Sequence, residues 1–164
     1  MAVEIRRGPN RGRIHLFYMS FPEGCHTNCV KPGYGPESSR NWTMTSDDGG
    51  RTWTAPQAIT EVARRPTSSC AGSPGVGIQR QHRANAGRLV VPYRQGPLSR
   101  VQIYMLYSDD GGDTWTRGEL VDNGTDGGGG DEVAIAELAD GTLILNARGH
   151  NNAPRSRKVA RSSD

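Results

Sequence analysis

Glu132 and Arg148 are the two residues of this 164-residue chain whose types and spacing could do chemistry together. Between them lies Asp140-Gly141, the strongest short hairpin signal in the sequence. A three-residue loop with a glycine bulge pairs Glu132 with Arg148, and a two-residue loop shifts that pairing by one residue. Either way both sit at the open end of one hairpin, on the same rim. An arginine fork is the preferred grip on a carboxylate, so an anionic small ligand is the partner class it suits. The same two residues would equally make a solvated cross-strand ion pair, worth about 0.2–1 kcal/mol. Residue types alone leave both readings open. Glu137, on the same hairpin, reads as a structural or rim carboxylate. His15, His26, His82 and His150 show no mutual spacing of a metal or triad kind. Cys25-His26 with Cys29 has poor metal-ligand spacing and no fourth ligand, and reads as loop, so no metal site is expected.

The composition says what must position such a pair. The chain carries 22 Gly and 10 Pro, with 34% hydrophobic residues and a mean hydropathy of -0.67. That turn content suits many short strands better than long helices. No run of about 18 apolar residues is present, so no transmembrane segment is read. No apolar stretch follows Met1, so no signal peptide is read either. The formal charge of +3 comes from 20 Lys+Arg against 17 Asp+Glu. The arginines are scattered singly and form no dense basic block, which argues against nucleic acid as a partner. Asn41-Trp42-Thr43 and Asn123-Gly124-Thr125 are glycosylation sequons, meaningful only in a secreted chain.

Helical periodicity is almost absent. Apolar runs of strand length alternate with Gly, Asp, Asn and Pro clusters. Strands are expected near Val3–Arg7, Arg13–Ser20, Asn41–Ser46 and Trp53–Ile59. A second set falls near Val76–Gln81, Arg88–Tyr93, Val101–Ser108 and Trp115–Val121, and a third near Glu132–Leu138, Thr142–Arg148 and Lys158–Ser162. Two octapeptides recur at the same place in the first two sets, Ser46-Asp47-Asp48-Gly49-Gly50-Arg51-Thr52-Trp53 and Ser108-Asp109-Asp110-Gly111-Gly112-Asp113-Thr114-Trp115. Ser162-Ser163-Asp164 repeats their opening. Asp48 and Asp110 are suited to accept backbone N–H bonds across a tight turn, Gly50 and Gly112 to take positive φ, and Ser46 and Ser108 to add a local bond. Trp53 and Trp115 then bury a large ring. These are folding roles. An all-β fold follows, built from β-propeller blades of four antiparallel strands. A generic β-sandwich would explain the strand density but not the recurring turn.

The octapeptides fit the pattern Ser-x-Asp-x-Gly-x-Thr-Trp, and so resemble the Asp box, or bacterial neuraminidase repeat, found in sialidases and in non-catalytic propellers. A closer resemblance to exo-α-sialidases lies elsewhere. Val76-Gly77-Ile78-Gln79, then Gly87-Arg88-Leu89-Val90-Val91-Pro92, looks like their middle blade. Asp131-Glu132, Glu137-Leu138-Ala139-Asp140-Gly141-Thr142 and Asn146-Ala147-Arg148 resemble the segment that carries two of their active-site residues. The resemblance extends over residues 10–164. It implies a six-bladed propeller, of which residues 1–164 would be a partial domain of about two and three-quarter blades: 3–60, 76–122 and an incomplete 131–164. It also implies removal of terminal sialic acids from glycoproteins, glycolipids or oligosaccharides with retention, through a Tyr/Glu nucleophile pair and an arginine triad. Glu132 takes the position of the glutamate that acts as base toward the tyrosine. Arg148 takes that of one arginine holding the sialic acid carboxylate. The implied partners are sialylated glycoconjugates, and no cofactor is implied.

Some of the family pattern is missing. Its Arg-Ile-Pro motif does not occur, Arg13-Ile14-His15 belonging to a later strand. The acid/base aspartate would precede Met1, and the third arginine and the tyrosine would follow Asp164. The chain is therefore expected to be an internal fragment, inactive alone. Arg157 fits a strand position and not a clamp. A non-catalytic Asp-box propeller, a trans-sialidase and another glycosidase or lyase on this fold are the alternatives.

Overall fold

A computed structural model of the chain describes residues 1–96, 101–121, 130–149 and 157–163. Asn123, His150 and Asp164, all invoked above, lie outside the described residues. The strands form three separate antiparallel sheets. The first runs β1 (Ala2–Glu4), β2 (Ile14–Ser20), β3 (Arg40–Ser46) and β4 (Gln57–Ala58) in chain order, followed by one helical turn, α1 (Thr60–Ala63). The second repeats this with β5 (Ile78–Gln79), β6 (Leu89–Gln95), β7 (Gln102–Ser108) and β8 (Thr116–Arg117). The third holds β9 (Gly130–Glu137), β10 (Leu143–Gly149) and β11 (Lys158–Ser162).

The fourth strands are two residues long, much shorter than the sequence suggests. The box turn occupies the residues up to the Trp, and Pro56 has no N–H to give to a ladder. Isolated bonds then continue the pairing, Ile59 N to Asn41 O at 2.9 Å in the first sheet and Val121 N to Ile103 O at 2.8 Å in the second.

The middle sheet is covered on both faces, which is why β6 reads as a nearly unbroken buried run. Leu89, Val91, Tyr93, Tyr104 and Leu106 pack on Val3, Ile5 and Phe17 of the first sheet. On the opposite face Ile103 packs on Val133, Leu145 and Ala147 of the third. Strand alternation thus sends successive β7 residues into two different cores.

The two boxes fold alike. Ser46 Oγ accepts from Gly50 N (2.8 Å) and donates to Asp48 Oδ1 (2.8 Å), while Asp48 accepts from Thr52 N (2.9 Å) and Thr52 Oγ1 (2.6 Å). Ser108, Asp110, Gly112 and Thr114 repeat these bonds, in the same order, at 2.8, 2.7, 2.9 and 2.6 Å. Gly50 and Gly112 take φ of 88° and 95°, a region closed to most side chains. Each Trp closes over its own turn, Nε1 donating to the carbonyl of Gly50 or Gly112 at 3.0 Å. Trp115 also packs edge-on against Phe17, ring centres 4.9 Å apart. The bonds to Thr52 and Thr114 and the Ser hydroxyls hold both carboxyls down to about 2.

The hairpin carrying Glu132 and Arg148 is gripped at its turn by the middle sheet. Arg80, fully buried, faces the largely covered Glu137 side chain at 3.4 Å and donates to Gly141 O at 2.9 Å. Glu137 also accepts from Gln81 N and His82 N, at 2.6 and 3.2 Å. It is a structural carboxylate. Arg83 donates to Asp140 O (2.7 Å) and Ser163 O (3.0 Å). The turn takes its three-residue form: Leu138 and Thr142 close it, and Gly141 sits at φ 79°.

Candidate active site

Strand direction sorts the molecule into two ends. The boxes follow the last residues of β3 and β7, at one end of their sheets. Glu132, at the start of β9, and Arg148, near the end of β10, lie at the other. The box residues therefore stand a full strand length from the candidate chemistry.

The register along the hairpin pairs Leu143 with Glu137 and Ala147 with Val133, then shifts so that Gly149 faces Gly130. Two residues, Asp131 and Glu132, thus stand opposite the single residue Arg148. This β-bulge departs from the one-to-one pairing inferred from the turn. Bulges re-aim side chains, and here the two acidic neighbours separate. Asp131 turns inward and is buried, with Arg94 Nε of β6 at 2.6 Å from its Oδ1. Glu132 points outward, its Oε1 3.4 Å from Arg148 Nη1, with both side chains about half exposed, at 51% and 58%. So open a pair contributes little to stability and exchanges readily with an incoming carboxylate.

Backbone packing fixes the strand on both sides of Glu132. A Cβ on Gly130 would collide with Ile103 Cδ1, and one on Gly75 with the carbonyl of Val133. Ser73 Oγ accepts from Val133 N at 3.1 Å. Near this end a cavity of about 350 Å³ opens between Met1, Phe17, Met19, Asn41, Tyr93 and Arg94.

Other marked residues take structural places. Asn41 is buried and donates Nδ2 to Ala71 O at 2.7 Å, so in the folded chain this sequon nitrogen is already engaged. Arg64, fully buried, donates to Ser68 O, Gly33 O and Ser39 O, and burial lowers its pKa. Arg157 stands just before β11, not in it as expected, and donates to Asn146 Oδ1 at 3.0 Å. Cys25 and Cys29 form a disulfide in the loop between β2 and β3, a bond the loop reading did not include, and Cys70 is buried and free. No cluster of His, Cys, Asp and Glu able to hold a metal occurs among the described residues. Nor is any helix there long and apolar enough to cross a membrane.

His15, without metal or triad spacing in the sequence, has a packing role. It is buried, its Nε2 lies 3.2 Å from Gly111 O of the second box, and its ring meets Trp115 edge-on. Arg94 carries no signal in the sequence. Its link to Asp131 depends on how two sheets stack, and no spacing in the sequence signals it.

Repeated four-stranded sheets, each with an Asp box between its third and fourth strands, define the class as an Asp-box β-propeller. The model of the BNR repeat-like domain matches residues 4–164. A sialidase from Micromonospora viridifaciens is 40% identical over 125 residues, covering 73% of this chain and 18% of its own length. Among solved structures, the Hadza microbial sialidase Hz136 superposes with a TM-score of 0.80 at 26% identity, over 99% of this chain and 30% of that one. The intramolecular trans-sialidase from Ruminococcus gnavus, solved with oseltamivir carboxylate, superposes with a TM-score of 0.58 at 32% identity, over 69% and 22%. The chain belongs to the sialidase family with BNR repeats. It spans about a fifth of the length of the Micromonospora relative.

Proposed function

We propose that this chain is a partial domain of a retaining exo-α-sialidase, supplying two of the groups that act on a terminal sialic acid. The observation that carries the reading is the Glu132–Arg148 pair, held open at the rim of the third sheet. Arg148 binds the sialic acid carboxylate, since a guanidinium fork gives directional, charge-assisted bonds to it. Glu132, released from Arg148 by the arriving anion, takes the proton of a tyrosine nucleophile. A phenol has a pKa of about 10 and attacks poorly near neutral pH without such a base. A neutral nucleophile also avoids setting a second carboxylate against an anionic substrate. The tyrosine, an acid/base aspartate and two more arginines must come from polypeptide beyond these 164 residues, so the chain by itself is inactive in this reading.

The test is release of a fluorogenic sialoside by the full-length protein, before and after Arg148→Ala. Losing a charge-assisted bond costs about 1.5–3 kcal/mol, a fall in kcat/KM of roughly 10- to 150-fold. Unchanged kcat/KM removes Arg148 from the site. The likeness to an intramolecular trans-sialidase favours a second reading, in which the sialic acid is transferred within itself and not to water. The product separates the two: free sialic acid for hydrolysis, an anhydro sugar for internal transfer.

A further inference from the structure

We propose that Asp131, Arg94 and Ser73 are positioning residues for Glu132, holding the strand on either side of it so that its carboxylate keeps one orientation. The proposal rests on the sialidase reading above. Four observations meet at one strand end. Asp131, immediately before Glu132, is buried against Arg94 of the neighbouring sheet at 2.6 Å. Val133, immediately after it, is bonded to the Ser73 hydroxyl at 3.1 Å. The bulge leaves Asp131 and Glu132 together opposite Arg148, a position that ladder hydrogen bonds alone would leave loose. Gly130 and Gly75 allow the close approach that brings all this together.

The chemistry explains the choice of groups. A buried ion pair is a poor source of net stability, because desolvation of both charges offsets their attraction. It does fix direction, since the buried Asp131 carboxylate is held toward the Arg94 guanidinium at 2.6 Å. With residues 131 and 133 drawn toward the middle sheet, alternation sends Glu132 to the opposite face, where Arg148 waits. Among the described residues, Arg148 of β10 is the charged group paired with Glu132, and the Arg94–Asp131 pair between β6 and β9 involves the residue next to it in sequence. Asp131 and Arg94 therefore act on Glu132 through the strand, and a change of charge in either is a change next to it.

The experiment measures kcat, KM and the pH dependence of kcat/KM for the full-length protein and for Asp131→Asn, Arg94→Met, Arg94→Lys, Ser73→Ala and Glu132→Gln. Misplacing a reacting group by about 1 Å costs on the order of 100-fold. Asp131→Asn and Arg94→Met should each lower kcat by about 10- to 100-fold with KM nearly unchanged, and the double variant should be no worse than the more damaging single. Arg94→Lys should recover part of the loss. Removing Asp131 leaves Arg94 unbalanced and should move the acidic limb of the profile to lower pH, and removing Arg94 should move it to higher pH. Purely structural damage produces no such opposed shifts. Where Asp131→Asn does not fold, Ser73→Ala carries the same test, with a smaller fall in kcat. An inactive Glu132→Gln beside normal kcat in the Asp131, Arg94 and Ser73 variants overturns the positioning proposal alone. A fully active Glu132→Gln overturns the role of Glu132, and the proposal with it.

Discussion

Arg13 grips Asp47 through a two-bond fork, Nε to Oδ1 at 2.8 Å and Nη2 to Oδ2 at 3.1 Å, and Arg88 grips Asp109 in the same way at 2.7 and 2.9 Å. The repeat is therefore longer than the octapeptide. It includes a Gly-Arg step at the start of the second strand, Gly12-Arg13 and Gly87-Arg88, each glycine at positive φ. In the third sheet the step is Gly141-Thr142, and the matching box residue is Ser163 where the others have aspartate. Both charges change together, as a coupled pair requires.

Asp47 is largely exposed, so this fork should orient more than it stabilises. A double-mutant cycle of Arg13→Ala and Asp47→Ala, followed by urea unfolding, should show a small coupling that fades as salt is raised. A large, salt-independent coupling would contradict this.

Ser108 is buried and serves the second box twice, as acceptor from Gly112 N and as donor to Asp110. Ser108→Ala leaves both partners short and should destabilise the fold by about 1–3 kcal/mol. Urea denaturation measures this, and a loss under about 0.5 kcal/mol would mean the turn closes without the hydroxyl.

Both box aspartates should make the fold acid-sensitive. Their pKa values fall from 3.8 to about 2, through the Thr52 bonds at Asp48 and the Ser108 and Thr114 bonds at Asp110. The unfolded chain binds these protons first, so stability is full above about pH 4 and is lost as pH falls toward about 2. The urea midpoint should drop across that window, and less steeply in Asp48→Asn/Asp110→Asn. Equal slopes in both proteins would remove the boxes from the acid response.

His15 gives a second window, of the same sign. Burial lowers its pKa below the ordinary 6.5, with Arg13 adding to the effect and the Gly111 carbonyl opposing it. A neutral ring donating from Nε2 suits the Gly111 carbonyl at 3.2 Å. Stability should thus be full above about pH 6.5 and should decline as pH falls below it. His15→Gln keeps a donor and cannot titrate. Its melting temperature should stay flat between about pH 7 and 5, where the parent's declines.

What the sequence shows and what it hides divide along a physical line. The strand rhythm and both boxes were legible, because turn residues and alternation act over a few neighbours. The fourth strands were overestimated because Trp53 and Trp115, strand-like by type, fold back over their own turns. The Cys25–Cys29 bond is local, yet three cysteines do not say which two pair. The bulge at Asp131–Glu132 was hidden because a register counted out from Asp140-Gly141 assumes an uninterrupted ladder. His15 on Gly111 and Arg94 on Asp131 join different sheets, and no local pattern reports how sheets stack.

The same division bears on how the protein comes apart. Ladder hydrogen bonds run within each sheet, whereas the sheets are joined chiefly by side chains and packing, His15 on the second box and Arg80 and Arg83 on the third hairpin, with a backbone bond from Gly77 N to Ala2 O besides. Stability in such an array is a chain of nearest-neighbour terms. A lesion at His15 should then loosen the amides of the second box along with its own strand, and a lesion at Arg80 those of the third hairpin. Hydrogen exchange would register these as protection lost one unit downstream of the damage, so that each sheet acts as a template for its successor.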